Sequence, residues 1–179
     1  MRKIVFVSMG VLILFIACSR GYLKDGSVSP AFELTRSYWV APLPFLVRGP
    51  GITPDKFTRD RAYDYLTMQL QKTNLFYMKD KYTIQTEIDK MGLSRVPGIG
   101  SEKACEVAKK VGAELVIVTD LTLEPEGGGL PVLAFIQILD VKTKTVFYSG
   151  RGRAINPASY EAAAEVAIDN ALNALLKKL

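Results

Sequence analysis

SEKACEVAKKVGAELVIVTDLTL, residues 101–123, decides the fold, because it joins an amphipathic helix to a buried strand through one glycine. Small and apolar residues recur at helical spacing in its first half and predict one buried face, formed by Ala104, Val107, Ala108 and Val111. Ser101 is the predicted N-cap, and Gly112 ends the helix. The apolar run 114–123 then predicts a strand buried inside a sheet.

The chain downstream of this unit predicts a hairpin and a last helix. Strands are expected at 133–141 and 145–153, with the turn 142–144 between them. Asn156 and Pro157 predict the cap of the final helix. One face of that helix is apolar and consists of Tyr160, Ala164, Ile168, Ala171, Leu172, Leu175 and Leu179.

The chain upstream alternates strands with helices. The elements expected there are a strand at 38–47, a helix from Thr53 to Asn74, a short strand at 75–80 and a helix at 82–91. Pro42 and Pro44 donate no ladder hydrogen bond, so the later half of the first strand should lie at an edge or leave the sheet. The order β-α-β-α-α-β-β-β-α predicts an α/β fold, a single-domain sandwich with a mixed β-sheet and packed helices.

The first eighteen residues carry an export pattern. Arg2 and Lys3 precede the apolar run 4–17, which is shorter than the roughly 20 residues of a membrane span and typical of a signal peptide. Its end, Phe15-Ile16-Ala17-Cys18, resembles a bacterial lipobox, in which the cysteine receives diacylglycerol. The resemblance predicts a lipoprotein signal peptide at 1–17 and an acylated Cys18. An ordinary secretory signal with an unmodified Cys18 is the alternative.

Lipidation would anchor the chain to a membrane rather than make it span one. Residues 18–36 mix glycine, serine, proline and charges without periodicity, which predicts a flexible tether ahead of a folded domain at 37–179. Ser19 follows the cysteine where an inner-membrane retention signal would place Asp, which favours the periplasmic side of the outer membrane.

Composition argues against several kinds of chemistry. The sequence contains no histidine, the commonest general base and metal ligand, and Cys105 is its only cysteine besides Cys18. The formal charge falls from +5 to +3 when Arg2 and Lys3 leave with the signal peptide, which is ordinary for a soluble domain. We therefore expect no catalytic residues, no cofactor and no metal site.

The segment Val96–Gly100, VPGIG, is similar to the hairpin of a helix-hairpin-helix nucleic-acid-binding motif. In that interpretation Ala104 packs closely, and backbone N–H groups at the start of the next helix hold a phosphate. The motif occurs once, in an exported chain, without a wider basic patch carrying interleaved aromatic residues. A Pro/Gly loop before a capped helix is the preferred interpretation, and no nucleic-acid partner is expected.

Three stretches resemble the periplasmic lipoprotein superfamily around the curli-secretion protein CsgG, which includes the penicillin-binding-protein activator LpoB and the amino-terminal domain of TolB. They are YWVAPLPF, AYDYLTMQLQKTNLFY and SEKACEVAKKVGAELVIVTDLT. The chain departs from the pattern with Thr119-Asp120 where the family usually has Gly. The loop 124–131 is too short for a membrane-barrel hairpin, whose strands need about 9–11 residues each.

The resemblance implies a binding or scaffolding lipoprotein of the cell envelope rather than an enzyme or a pore. Its partner would be a cell-wall synthase, or the subunits of a secretion or surface-assembly complex, and a homo-oligomer fits the second case. Tyr38 and Trp39 are the candidate partner surface, because aromatic residues anchor interfaces, with core packing as the alternative. An uncharacterised envelope enzyme and nucleic-acid binding through Val96–Gly100 are the competing functions.

Overall fold

One mixed sheet organises the protein in the computed structural model, which describes residues 20–49, 56–94, 98–124, 130–156 and 159–179. The seven strands of this sheet are β1 (Arg20–Val28), β2 (Tyr38–Pro42), β3 (Leu46–Arg48), β4 (Phe76–Met78), β5 (Leu115–Leu123), β6 (Leu130–Asp140) and β7 (Val146–Asn156). The helices are α1 (Lys56–Gln71), α2 (Lys81–Lys90), α3 (Ser101–Lys110) and α4 (Tyr160–Leu176).

The strand order is β1-β7-β6-β5-β2-β4, and β3 pairs with β5 beyond the end of β2. The β2–β4, β2–β5 and β3–β5 pairs are parallel, whereas β5, β6, β7 and β1 form an antiparallel meander. The α/β fold with a mixed sheet and packed helices, predicted from the sequence, is confirmed.

Helices cover both faces of the sheet. One core lies against α1 and α4 and includes Leu66, Ile168 and the odd-numbered Leu115 and Ile117 of β5. The other core lies against α2 and α3 and includes Ile84, Val107 and the even-numbered Val116. Successive side chains of a strand point to opposite faces, so β5 supplies both cores and reads in the sequence as a continuous apolar run.

Helix α4 packs on β7 at very short range because two glycines face it. A Cβ atom added at Gly152 would overlap the backbone carbonyl oxygen of Ala167, and one added at Gly150 would overlap that of Ala171. Tyr148, fully buried on the same strand, donates a hydrogen bond from its hydroxyl to the Ala171 carbonyl. The strand and the helix are therefore joined by both close packing and a buried hydrogen bond.

The segment before residue 37 is part of the fold. Strand β1 pairs antiparallel with β7 from Arg20, opposite Ile155, to Val28, opposite Tyr148. The prediction of a flexible tether over 18–36 is therefore wrong for residues 20–36, and the folded domain begins before residue 37. Strand β1 lies at a sheet edge and is held by backbone hydrogen bonds. Its sequence, RGYLKDGSV, therefore needs no regular alternation of apolar and polar residues.

A turn after β1 adds an aromatic contact to the core. Phe32 is 5% exposed, and its ring centroid lies 5.5 Å from that of Tyr38 and 5.1 Å from that of Phe147. This packing ties the segment between β1 and β2 to the centre of the domain.

The strand predicted at 38–47 is divided in two. Pro42 of β2 stands opposite Ile117, and Leu46 of β3 stands opposite Asp120, so three residues, 43–45, face the two residues Val118 and Thr119 of β5. Such a bulge fits the expectation from Pro42 and Pro44, since a proline cannot donate a ladder hydrogen bond.

Two predicted helix caps are corrected. Gly100, not Ser101, is the N-cap of α3, and it provides no side-chain hydrogen bond. The N-cap of α4 is Ser159, whose hydroxyl accepts from the backbone N–H of Ala162 at 3.3 Å, while Asn156 accepts from the N–H of Ser159 at 3.0 Å. Asn156 thus supports the cap from outside the helix instead of being the cap.

Within these described ranges, none of the helices combines the length and the apolarity needed to cross a membrane. Cys18 and the signal peptide predicted at 1–17 lie outside the described residues, so the lipid anchor stays a prediction.

Candidate partner-binding surface

Two large aromatic side chains are exposed side by side near one edge of the sheet. Trp39 of β2 and Tyr77 of β4 are neighbours in the parallel register and are 49% and 53% exposed. Their ring centroids lie 5.5 Å apart, and the Lys79 Nζ lies 4.4 Å from the centroid of the indole ring. We call Trp39, Tyr77 and Lys79 the aromatic patch.

The backbone of Trp39 is held by Glu114, the residue just before β5. The Glu114 N–H donates to the Trp39 carbonyl at 2.8 Å, and its Oε2 accepts from the Trp39 N–H at 3.0 Å. Its other oxygen, Oε1, accepts from the Arg36 guanidinium at 2.7 Å. The hydrogen bond from Arg36 makes the larger contribution to lowering the pKa of the Glu114 carboxyl, and the bond from the Trp39 N–H lowers it further. The indole is therefore exposed on a fixed backbone.

A cavity of about 420 Å³ lies beside the aromatic patch. It is lined by Trp39, Gln71, Asn74, Phe76, Tyr77 and Met78. Strand β4 is the last strand on this side of the sheet, so its outer backbone edge has no neighbouring strand among the described residues. Unpaired edges and adjacent aromatic side chains are both typical of surfaces that bind other proteins.

The partner surface predicted from the sequence comprises Tyr38 and Trp39. Their side chains differ in exposure because neighbouring residues of a strand point to opposite faces. Tyr38 is 2% exposed, and its hydroxyl donates to the Glu33 carbonyl at 2.9 Å. The partner-surface role predicted for Tyr38 is therefore wrong, and core packing, the alternative, holds for it. Trp39 points outward, and its role in partner binding stays a proposal.

Tyr77 is the member of the aromatic patch that sequence reasoning missed. The LFYMKD stretch predicts a strand but does not reveal which neighbour β4 pairs with. The parallel β2–β4 register places Tyr77 opposite Trp39. This pairing becomes visible only when the strand order of the sheet is known. Alternation around the buried Phe76 was the available sequence signal, since it puts Tyr77 on the exposed side.

The candidate nucleic-acid hairpin packs against the sheet where it is described. Val96 lies outside the described residues. Gly98 has a positive φ of 113°, and a Cβ added there would lie 2.9 Å from Leu46 Cδ2 of β3. In α3, Lys103 pairs with Glu106 at 2.8 Å, and Ala104 is fully buried. These contacts describe a loop that supports β3 and leads into a packed helix.

Cys105 lies in α3 with its thiol directed to the end of β6. The side chain is 2% exposed, and Sγ lies 4.0 Å from the Asp140 carbonyl oxygen. Burial raises the pKa of the Cys105 thiol, which disfavours the reactive thiolate. In the part of the chain that the structure describes, no three His, Cys, Asp or Glu side chains cluster in a way that would hold a metal ion.

The fold is shared with several proteins of known structure. The LpoB C-terminal domain from Salmonella enterica superposes with a TM-score of 0.52 at 19% identity, covering 66% of this chain and 83% of that domain. PelC from Paraburkholderia phytofirmans, a dodecamer, gives 0.53 at 16% identity, with coverages of 84% and 94%. Lipoprotein GNA1162 from Neisseria meningitidis gives 0.55 at 14% identity, with coverages of 79% and 98%.

The sequence itself matches no protein-family model, and its comparison with curated proteins finds no match. At the identities of the structural matches, what is shared is the fold. The LpoB-like fold predicted from the three sequence stretches is therefore confirmed.

Proposed function

We propose that this chain is an envelope lipoprotein, anchored through lipid on Cys18 at the periplasmic side of the outer membrane, that acts by binding a protein partner through the aromatic patch. The observation that carries the proposal is the exposed Trp39–Tyr77 pair, fixed from behind by Glu114. The fold shared with LpoB and with lipoprotein GNA1162 supports the envelope setting.

The chemistry of the aromatic patch suits a protein surface. Trp and Tyr are enriched among the residues that contribute most to interfaces, and a preorganised side chain loses little freedom on binding. Lys79 places a positive charge over the indole ring of Trp39, so a partner with acidic residues near an apolar segment is the best complement. Binding, rather than catalysis, is the activity we propose.

The proposal allows two kinds of partner, and they predict different oligomeric states. One is a cell-wall synthase that the lipoprotein activates, for which we expect a monomer with one binding surface. The other is an envelope secretion or surface-assembly complex, for which we expect a ring, as PelC is a dodecamer. The mass of the full-length protein in detergent, measured by size exclusion with light scattering, separates the two.

The binding surface is tested by site-specific photo-crosslinking in living cells. A photoreactive phenylalanine analogue replaces Tyr77 in one strain and Tyr82 in another. Tyr82 of α2 is the matched control, because it is 81% exposed and outside the aromatic patch. We expect a discrete adduct from position 77 that disappears when Trp39→Ala is added, and none from position 82.

Mass spectrometry of the adduct identifies the partner as a synthase, a secretion component or a second copy. Equal adducts from both positions, or an adduct that survives Trp39→Ala in a protein of unchanged circular dichroism, would contradict the proposed surface. Hydrolase turnover abolished by a single substitution would favour the competing enzyme function.

The anchor is tested separately, by comparing wild type with Cys18→Ala in a diderm bacterium. We expect the wild type to lose residues 1–17, gain lipid mass at Cys18 and pellet with the outer membrane, while the variant does none of these. If both proteins stay full-length in the cytoplasm, the envelope setting fails, and nucleic-acid binding near Val96–Gly100 becomes the function to test.

A further inference from the structure

A cavity lies between the end of α3 and the turn that joins β6 to β7. It has a volume of about 580 Å³ and is lined by basic, acidic and apolar side chains. Lys109 near the end of α3 and Lys142 of the turn both line it, so we call it the lysine cavity. The apolar part of its lining consists of Cys105, Ala113 and Val141.

The acidic side chains that line the lysine cavity already have partners within the chain. Glu106 pairs with Lys103 at 2.8 Å. The Asp140 carboxylate accepts from the backbone N–H of Thr143 at 2.6 Å and from its hydroxyl at 2.7 Å. The third carboxylate, that of Glu114, is bonded behind the aromatic patch, as described above.

The basic side chains of the lining are only partly paired. Lys144 pairs with Glu102 at 2.9 Å, and Arg36 is held in its pair behind the aromatic patch. Lys109 and Lys142 are exposed and make no ion pair with any residue that the structure describes. The charges left over in this concave surface are therefore positive, and they favour a ligand with negative charge.

The lysine cavity and the aromatic patch lie on the same face of the sheet. Ala113, which lines the cavity, and Ala41 of β2 belong to the core that α2 and α3 cover. Trp39 lies two residues before Ala41 in β2, so its side chain points to that same face. One partner can therefore contact both sites from one side.

The turn after α3 connects the two sites. A Cβ added at Gly112 of this turn would lie 3.8 Å from the Lys79 Nζ of the aromatic patch. The next two residues, Ala113 and Glu114, line the lysine cavity, and Glu114 also holds the backbone of Trp39. The patch and the cavity are thus adjacent parts of one surface.

The lysine cavity lies at the end of the sheet away from the proposed lipid anchor. Arg20, the first residue of β1, stands opposite Ile155 near the end of β7, whereas Lys142 precedes the start of β7 at Val146. The length of β7 separates these two ends by roughly 30 Å, at about 3.3 Å per residue. The cavity therefore lies far from the headgroups around the anchor, which favours a protein segment over lipid as its occupant.

We infer that the lysine cavity binds an acidic segment of the same partner protein that contacts the aromatic patch. Lys109 and Lys142 pair with Asp or Glu side chains of that segment, and the apolar lining contacts an apolar residue beside them. The inference rests on the proposed function and adds to it the place where the acidic residues of the partner bind. A lipid headgroup or a second copy of this chain would be a different occupant, and the test distinguishes both.

The first test places the photoreactive phenylalanine analogue at position 109 in one strain and at position 77 in another. We expect an adduct with the same partner from both positions. The partner peptide joined to position 109, mapped by mass spectrometry, should contain Asp or Glu next to an apolar residue. Lys24, an exposed residue of β1, is the control position and should give no adduct with this partner.

The second test titrates the full-length protein in detergent micelles with the purified partner, followed by calorimetry. Lys109→Gln combined with Lys142→Gln should weaken binding about tenfold, the effect of losing two exposed ion pairs. Lys24→Gln combined with Lys178→Gln removes the same charge from exposed lysines outside the cavity lining and should leave the affinity unchanged. Raising the NaCl concentration from about 0.1 M to about 1 M should weaken the wild type more than the cavity variant, because salt screens exposed ion pairs.

The outcomes separate this inference from the proposed function. An adduct from position 77 without one from position 109, or an affinity that the cavity variant leaves unchanged, overturns the inference and leaves the aromatic patch intact. A lipid, a second copy of the chain or a peptide without acidic residues at position 109 also overturns it. The absence of an adduct from position 77 contradicts the proposed function, and with it the shared surface, whatever position 109 gives.

Discussion

Glu114 and Trp39 are joined by two hydrogen bonds, one from the backbone N–H of Glu114 at 2.8 Å and one to its carboxylate at 3.0 Å. The residue that precedes β5 thus holds the first exposed aromatic of β2. Because the same carboxylate accepts from Arg36, three segments of the chain meet behind the aromatic patch.

Glu114→Gln should weaken this junction in a way that depends on pH. The folded-state pKa of Glu114 is lowered, so its contribution to stability is full above the unfolded value of about 4.3 and is lost as pH falls through the lowered folded value. The pair is largely exposed, which limits the contribution to below about 1 kcal/mol. Urea unfolding at neutral and at strongly acidic pH measures it.

The expected pattern is a less stable variant at neutral pH and equal stabilities in strong acid. Glu106→Gln, which removes an exposed i,i+3 pair with Lys103, serves as the control and should show a smaller difference. A constant gap at all pH values would mean that Glu114 acts through packing rather than through its charge.

Gly152→Ala should destabilise the protein by about 3 kcal/mol or more, because the new methyl group would overlap the backbone of α4. Gly100→Ala is the control, since φ at Gly100 is −61° and a Cβ there meets nothing within 4 Å. The control should cost at most about 1 kcal/mol, the preference for glycine over alanine at an N-cap. Thermal unfolding followed by circular dichroism compares the two, and equal losses would refute the close β7–α4 contact.

The protein should lose stability in alkali through its buried tyrosines. Burial raises the pKa of Tyr148 to about 12, above the unfolded value of about 10. Its contribution is therefore complete below pH 10 and is lost as pH rises through about 12. Tyr148→Phe should remove part of this alkaline loss and cost about 1 kcal/mol at neutral pH, since the bond to Ala171 is lost. Near-ultraviolet absorbance titration of both proteins checks the result, and identical titrations would contradict it.

Thr119→Val should stabilise the protein by about 1 kcal/mol, because it replaces a buried hydroxyl that has no hydrogen-bond partner among the described residues by a methyl group of similar size. Thr122→Val, the control on the same strand, should stay within about 0.5 kcal/mol of wild type. Urea unfolding provides the comparison. A destabilised Thr119→Val would show that the hydroxyl has a structural partner.

The sequence predicted the elements that carry a period or an apolar run. The unit 101–123, the β6–β7 hairpin and α4 lie close to where periodicity placed them, since each buries a regular face. Strand β1 could not be predicted in this way, because an edge strand is held by backbone hydrogen bonds that every sequence can make.

The candidate site was predictable in part. Trp39 was identified as an aromatic at a strand start, but its partner Tyr77 depends on a strand pairing that spans 38 residues of chain. Thr119 stood out in the sequence only as a departure from the Gly usual in the related proteins, and its buried, unpaired hydroxyl depends on packing that no local pattern encodes.

The start of β1 at Arg20 bears on how far the domain could lie from a membrane if the chain is lipid-anchored. If Cys18 carries lipid, as we propose, two residues separate the acyl chains from the sheet, a leash of roughly 7 Å. A free segment over 18–36 would instead reach roughly 60 Å. The domain would then lie directly against the lipid headgroups with a restricted range of orientations. A partner would have to bind it at the membrane surface.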